Sequence, residues 1–135
     1  MIAASAGNHA QGVAFSVRQL GIEAMIVMPA TTPQIKLQAV QALGAEVVLH
    51  GDNYSEAADR CTQLAEATGM TYIHPFDDEL VIAGQGTVAD ELLPQSAGQM
   101  DAVFVPVGGG GLIAGMACYL KELFPEVKEI ARFPR

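Results

Sequence analysis

The segment Val103-Phe104-Val105-Pro106-Val107-Gly108-Gly109-Gly110-Gly111-Leu112 runs from an apolar strand-type stretch through four consecutive glycines into a helix-type stretch. Each of those glycines costs roughly 1 kcal/mol of backbone entropy relative to alanine, so a plain turn would seldom carry all of them. Glycines clear Cβ atoms from the path of an approaching anion and permit the positive-φ geometry that gathers successive N–H groups. The helix start behind them adds free N–H groups and about half a positive charge. A phosphate can bind such a unit without any lysine.

The same strand-to-helix rhythm recurs along the chain. The pattern predicts a helix over residues 7–20, with Val13, Val17 and Leu20 on one face and Gly21 as its stop. It predicts a strand over 22–28, where Met25-Ile26-Val27-Met28 is continuously apolar. Thr32 is expected to cap a helix that has Pro33 at its first position, followed by a strand over 45–49. Asn53 and Glu56 resemble a capping box for a helix to about Ala67, and a short strand follows at 70–73. Further elements are expected as a helix from about Gly84 or Thr87 to Leu93, a strand over 101–107, a helix over 112–124, and a strand start near Val127. The fold class is therefore α/β, with parallel strands, right-handed crossovers and helices on both faces, giving three layers. The polar stretch near Gln95 to Gln99 is the expected boundary. It makes residues 1–95 a small domain, 96–130 the start of a larger one, and 131–135 a divergent tail.

The formal charge of −8 comes with only seven Lys and Arg, which do not cluster. No basic footprint for nucleic acid is visible, and no apolar run approaches the roughly 20 residues that span a membrane. No signal peptide is expected at the start. The two cysteines, Cys61 and Cys118, lie in apolar helical patterns and are expected as buried thiols in a reducing cytoplasm. With no CxxC and no histidine at ligand spacing, no metal is expected.

A second amide-rich corner is Ala3-Ala4-Ser5-Ala6-Gly7-Asn8-His9-Ala10-Gln11-Gly12. Ser5, Gly7 and Asn8 are all cap-type residues at a helix start, where N–H groups face a carboxylate or similar anion. His9, taken alone, reads as a partly exposed first-turn residue. A competing reading joins Gly109, Gly111 and Ala114 as a loose GxGxxA dinucleotide pattern, with Glu129 about 20 residues on as the ribose-binding acid. A third reading is a ligand-free interaction fragment that docks through exposed sheet edges.

These residues together resemble fold-type II pyridoxal-phosphate enzymes, the tryptophan synthase β-like fold. Residues 5–12 look like the family's asparagine loop, and Gly108-Gly109-Gly110-Gly111-Leu112 looks like its phosphate loop. Between them, Met28-Pro29 with Thr32-Pro33-Gln34-Ile35-Lys36, the run from Leu43 to Gly51, and His74-Pro75-Phe76-Asp77-Asp78 through Thr87 also match. His9-Ala10-Gln11-Gly12 and the Phe76-Asp77-Asp78 segment are similar to threonine ammonia-lyase and its serine-acting relatives. The resemblance implies that Asn8 bonds the phenolic oxygen of pyridoxal 5′-phosphate. It implies that the backbone of Gly108, Gly109, Gly110, Gly111 and Leu112 holds the phosphate, and that Ser5, Ala6, Gly7 and His9 line the place of the substrate carboxylate. The implied reaction converts threonine or serine into a 2-oxo acid and ammonia, with the cofactor as electron sink.

The family's cofactor-bearing lysine sits in a Ser-x-Phe-Lys-type motif upstream of the asparagine loop. Lys36, Lys121 and Lys128 fall in other contexts. The expectation is therefore an incomplete member with no catalytic residue of its own, binding the cofactor non-covalently at most and inactive in isolation. Residues from Lys128 onward are expected to depart from the family pattern. The strand near residues 101–107 is expected to lack sheet neighbours and to promote self-association. Threonine and serine are not separated as substrates by these residues.

Overall fold

Side-chain alternation along three short parallel strands organises the first half of the chain. The computed structural model describes residues 1–97 and 99–133, and these form two compact units that divide between Pro75 and Phe76. In the first unit β1 (Ile2–Ala4), β2 (Met25–Met28) and β3 (Glu46–Leu49) pair in parallel in the order β1-β2-β3. Ile2 lies opposite Met25, and Met25 opposite Glu46. Tyr72 forms an isolated parallel bridge to Ile2 on the other side of β1.

Because successive strand residues point to opposite faces, Ala3, Ile26 and Met28 fall on one side and Ile2, Ala4 and Val27 on the other. The first set packs on Ala10, Val13, Ala14 and Val17 of α1 (Asn8–Leu20) and on Val40 of α2 (Gln34–Ala42). The second set packs on Ala57 and Cys61 of α3 (Tyr54–Thr68). This is the expected three-layer α/β arrangement. Fully burying each Ile, Val or Met of this kind is worth about 1.5–3 kcal/mol.

Gly21 and Gly69, both at positive φ, end α1 and α3 as the sequence predicts. Asn53 caps α3, its Oδ1 accepting from the Glu56 N–H at 3.1 Å. Glu56 reaches one residue further upstream than an ordinary capping box, accepting from the Asp52 N–H at 2.8 Å and from Asn53 Nδ2 at 2.7 Å. Thr32 does not cap α2. Its N–H closes a turn onto the Pro29 carbonyl at 3.0 Å, Pro33 occupies the cap position, and Thr32 Oγ1 is buried without a partner.

The second unit holds α4 (Glu79–Gln95), β4 (Ala102–Pro106), α5 (Gly111–Leu123) and β5 (Lys128–Arg132). The helix expected from about Gly84 starts earlier, because Asp78 caps it by accepting from Leu80 N–H at 2.9 Å and Val81 N–H at 3.0 Å. α4 packs on α5, so it belongs to the second unit, and the division falls at residue 75 instead of the expected 95–99. Residue 98, inside that expected boundary, lies outside the described residues. β4 and β5 pair in parallel, Val103 with Glu129 and Phe104 with Ile130. Val103 and Val105 face the helices, whereas Phe104 is 70% exposed on the other face.

The strand near Val127 runs through Arg132, so residues 131 and 132 of the expected tail are paired backbone; residues 134 and 135 lie outside the described residues. Cys61 is buried, but Cys118 is exposed on α5, against the expectation of two buried thiols. The helix pattern around Cys118 is apolar on more sides than α4 and the sheet can cover.

Close contact between α4 and α5 rests on Gly86 and Gly115. A Cβ on Gly115 would lie 2.1 Å from the Ile82 carbonyl oxygen and 2.8 Å from Gly86 N, both main-chain atoms that cannot step aside. Tyr119 also donates a hydrogen bond across the pair to Asp90. Gly115→Ala is expected to lower stability by about 1–3 kcal/mol through overpacking. Gly84→Ala, in the same pair of helices but with open space at its Cβ position, should raise stability by about 0.5–1 kcal/mol. Urea unfolding of both variants, followed by circular dichroism, checks the contrast.

Candidate functional site

The first corner grows from the carboxyl end of β1. The Ser5 N–H donates to the Val27 carbonyl at 3.1 Å, which carries strand pairing one residue past Ala4. Ser5 Oγ then accepts from the Gly7 N–H at 3.1 Å and bends the chain into α1. An accepting hydroxyl keeps its own hydrogen, so Ser5 can still donate to a carboxylate. Gly7 is the cap residue of α1 and supplies no side-chain cap. The amides of Asn8, His9 and Ala10 therefore open the helix as donors with no capping side chain over them. Asn8 is exposed, and Ala6 and Gly7 are half-buried beside it.

His9 is half-buried, with Nε2 3.0 Å from the Ile73 carbonyl oxygen. Loss of water around the ring lowers its pKa below the ordinary imidazole value. The bond to Ile73 opposes that shift, and nearby His74 adds to it.

The second corner grows from the carboxyl end of β4. The Val107 N–H donates to the Arg132 carbonyl at 2.8 Å, which is the last link to β5 before the glycines. Gly108 and Gly109 are exposed, and Gly110 caps α5 at φ +94° without any side-chain cap. The Ala114 N–H bonds back to the Gly110 carbonyl, which leaves the amides of Gly111, Leu112 and Ile113 in the uncapped first turn. Phe76 lies under this loop. A Cβ on Gly109 would sit 2.2 Å from the Phe76 ring, and one on Gly111 would sit 2.9 Å from the Phe76 carbonyl oxygen. Gly109 and Gly111 are thus required by contact and Gly110 by its conformation. Each corner is local to one unit: Ser5, Ala6, Gly7, Asn8 and His9 in the first, and the four glycines with Leu112 in the second.

Two contributors were not foreseen as site residues. Phe76 was visible only as part of a matching segment, and nothing in its neighbourhood signals that it underlies glycines some 30 residues away. Ile73 acts through its carbonyl, which no side-chain pattern encodes.

The dinucleotide reading fails on geometry. Glu129 lies opposite Val103, near the start of β4, while the glycines follow its end. Five residues of strand separate those levels, about 16 Å. The Glu129 side chain is 8% exposed and accepts from Lys121 Nζ at 3.1 Å, so it is an internal ion-pair partner and not a ribose ligand. Other perturbed groups play no part in either corner: burial raises the Cys61 thiol to about 11 and pushes the Tyr72 and Tyr54 phenols upward. Cys61 is accordingly an inert thiol.

Parallel strands that end in uncapped helix starts define a class of α/β protein that gathers anions at the carboxyl ends of its strands. The sequence pattern of the family described as "Pyridoxal-phosphate dependent enzyme" matches residues 1–133, and the chain belongs to that family. The match extends through β5, so the expected departure from the family at residue 128 is not found.

The biosynthetic L-threonine dehydratase IlvA of Pasteurella multocida is 58% identical over 130 residues, covering 96% of this chain and 25% of that protein. The chloroplastic biosynthetic threonine dehydratase of Arabidopsis thaliana is 58% identical over 134 residues, covering 99% of this chain and 23% of that protein. The structure of the processed form of threonine deaminase isoform 2 from Solanum lycopersicum superposes with a TM-score of 0.91 at 53% identity, covering 99% of this chain and 37% of that one. The chain thus spans about a quarter of the length of these curated relatives. Its fold is that of fold-type II pyridoxal-phosphate enzymes, as the resemblance implied.

The glycine positions can be ranked by what a methyl group would meet. Gly111→Ala is expected to cost about 1–3 kcal/mol by collision with the Phe76 main chain. Gly110→Ala should cost about 1 kcal/mol through its positive φ. Gly108→Ala, in open space, should change stability by less than about 0.5 kcal/mol. Thermal unfolding of the three variants checks the order.

Proposed function

We propose that this chain is the cofactor-gripping part of a threonine ammonia-lyase, an enzyme converting threonine or serine into a 2-oxo acid and ammonia. The observation that carries the reading is the glycine loop at the start of α5, with its backbone against Phe76 and a glycine, which offers no side-chain cap, at the cap position. The dehydratase names of the relatives and the identity across the chain support the substrate class.

The backbone amides of Gly108, Gly109, Gly110, Gly111 and Leu112 would hold the phosphate of pyridoxal 5′-phosphate. No cation is needed there, since oriented N–H dipoles and the helix start supply the positive potential. Asn8 would donate its carboxamide N–H to the cofactor's phenolic oxygen and so orient the ring. Ser5 and the amides around Ala6, Gly7 and His9 would receive the substrate carboxylate. When bound, the cofactor supplies an electron sink for loss of the α-proton and the β-hydroxyl.

Lys121 is committed to Glu129 and to the carbonyls of Pro125 and Val127. It is not a candidate for the covalent anchor, and binding by this polypeptide is expected to be non-covalent. We also propose self-association through β4, which pairs only with β5 among the described residues and turns Phe104 outward beside Ile130. A cytoplasmic setting suits the two free thiols.

Titrating the chain with pyridoxal 5′-phosphate, by absorbance and with NAD as competitor, should show saturable binding that NAD does not displace. Borohydride should not fix the cofactor to the chain, and Asn8→Ala should weaken binding about tenfold, in line with loss of a hydrogen bond to a charged group. Absence of binding, or displacement by NAD, would refute the assignment. Threonine deamination by the isolated polypeptide at a rate typical of enzymes would refute its expected inactivity. In sedimentation, Phe104→Glu should shift the wild-type assembly toward monomer, and a wild type that runs as a clean monomer would sink the self-association proposal.

A further inference from the structure

We infer that the His9 side chain is a positioning group, clasping the asparagine loop to the main chain at Ile73, and is not a donor to the substrate carboxylate. The geometry begins at the edge of the first sheet. The Ile2 N–H donates to the Thr71 carbonyl and the Ile73 N–H to the Ile2 carbonyl, each at 2.9 Å, so residues 71–73 lie alongside β1. The Ile73 carbonyl, at the end of that pairing, accepts from His9 Nε2 at 3.0 Å across 64 residues of sequence. A carbonyl has no hydrogen to give, so Nε2 carries the proton. In the neutral ring Nδ1 then holds only a lone pair.

A carboxylate is also an acceptor and cannot bond to that lone pair. His9 could serve it only as an imidazolium. Burial opposes that charge, and so does His74, whose ring stands edge-on to Tyr72 at 5.9 Å. The first turn of α1 carries no acidic residue to offset either effect. The neutral ring therefore ties the start of α1, and with it Asn8, to the strand edge beside β1. The sign of the pH effect follows. A histidine whose folded pKa is depressed contributes its full stability above the ordinary value of 6.5 and loses it as pH falls through the folded value. Protonation leaves the Nε2–H to Ile73 in place, so acid weakens the loop through the cost of a charged ring in a poorly hydrated position and not through loss of the donor.

This inference deepens the carboxylate role proposed for the loop and rests on that reading only for its functional meaning. The test uses the full 135-residue chain. Nitrogen-15 NMR of the His9 ring at pH 7.5 should show protonated Nε2 and bare Nδ1. Amide exchange at residues 6–10, corrected for intrinsic rate, should quicken about threefold to tenfold in His9→Ala, the range expected for one hydrogen bond. His9→Gln, which keeps a donor without a titrating ring, should restore protection to within about twofold and abolish the extra acid sensitivity between pH 7.5 and 5.5.

A protonated Nδ1 with bare Nε2 would overturn the inference. So would unchanged exchange in His9→Ala, or a folded His9→Gln chain that fails to restore protection. If His9→Ala does not fold, the ring tautomer and His9→Gln decide alone. Pyridoxal phosphate binding is scored separately. A wild type that binds none defeats the cofactor reading and leaves the clasp standing, whereas binding with equal loop exchange in wild type and His9→Ala defeats the clasp.

Discussion

Main-chain amides left without a capping side chain are what both corners have in common. An amide buried or crowded without a partner costs free energy comparable to a lost hydrogen bond, so an uncapped helix start persists where solvent or a ligand can reach it. In α1 the cap position holds Gly7, and in α5 it holds Gly110. α3 and α4 carry side-chain caps, Asn53 and Asp78, whereas α2 starts at Pro33 without one.

The packing that supports these ends is economical in polar groups. Among the described residues none that is buried as a whole is polar or charged, although the Glu129 carboxylate and the Thr32 hydroxyl reach inside. Small residues carry much of the intimate contact: Ala3, Ala4, Ala10, Ala14 and Ala57 are all fully buried, as is Ala89 beside the paired glycines of α4 and α5. Such residues bring backbones close and leave little room for volume changes. The same closeness reappears at Phe76, where an aromatic ring takes the space that Cβ atoms of the glycine loop would fill. Gly109 and Gly111 thus leave the room that Phe76 takes, and under the proposed function the same run leaves room for an anion.

Much of the fold could be read from residue types. Apolar runs such as Met25-Ile26-Val27-Met28 and glycine stops at Gly21 and Gly69 placed strands and helix ends to within a few residues, because local φ and hydrophobic period are encoded locally. Thr32 failed as a cap because a turn closed by its own N–H on Pro29 took precedence over the side chain. The early start of α4 is not visible in the sequence because no apolar helical period reaches back to Asp78, and only the formed helix shows its carboxylate receiving two amides.

The family and the two amide-rich corners were legible in the sequence alone, since glycines, cap residues and their spacing are chemical statements that need no coordinates. Tertiary structure decided what depends on distance between remote segments. It put the division between the units at Pro75, sent Glu129 to the wrong end of β4 for a ribose, placed Phe76 under the glycines, and spent the His9 ring on Ile73. Each of these outcomes joins atoms whose separation is set by how strands and helices pack, and residue order by itself does not contain that information.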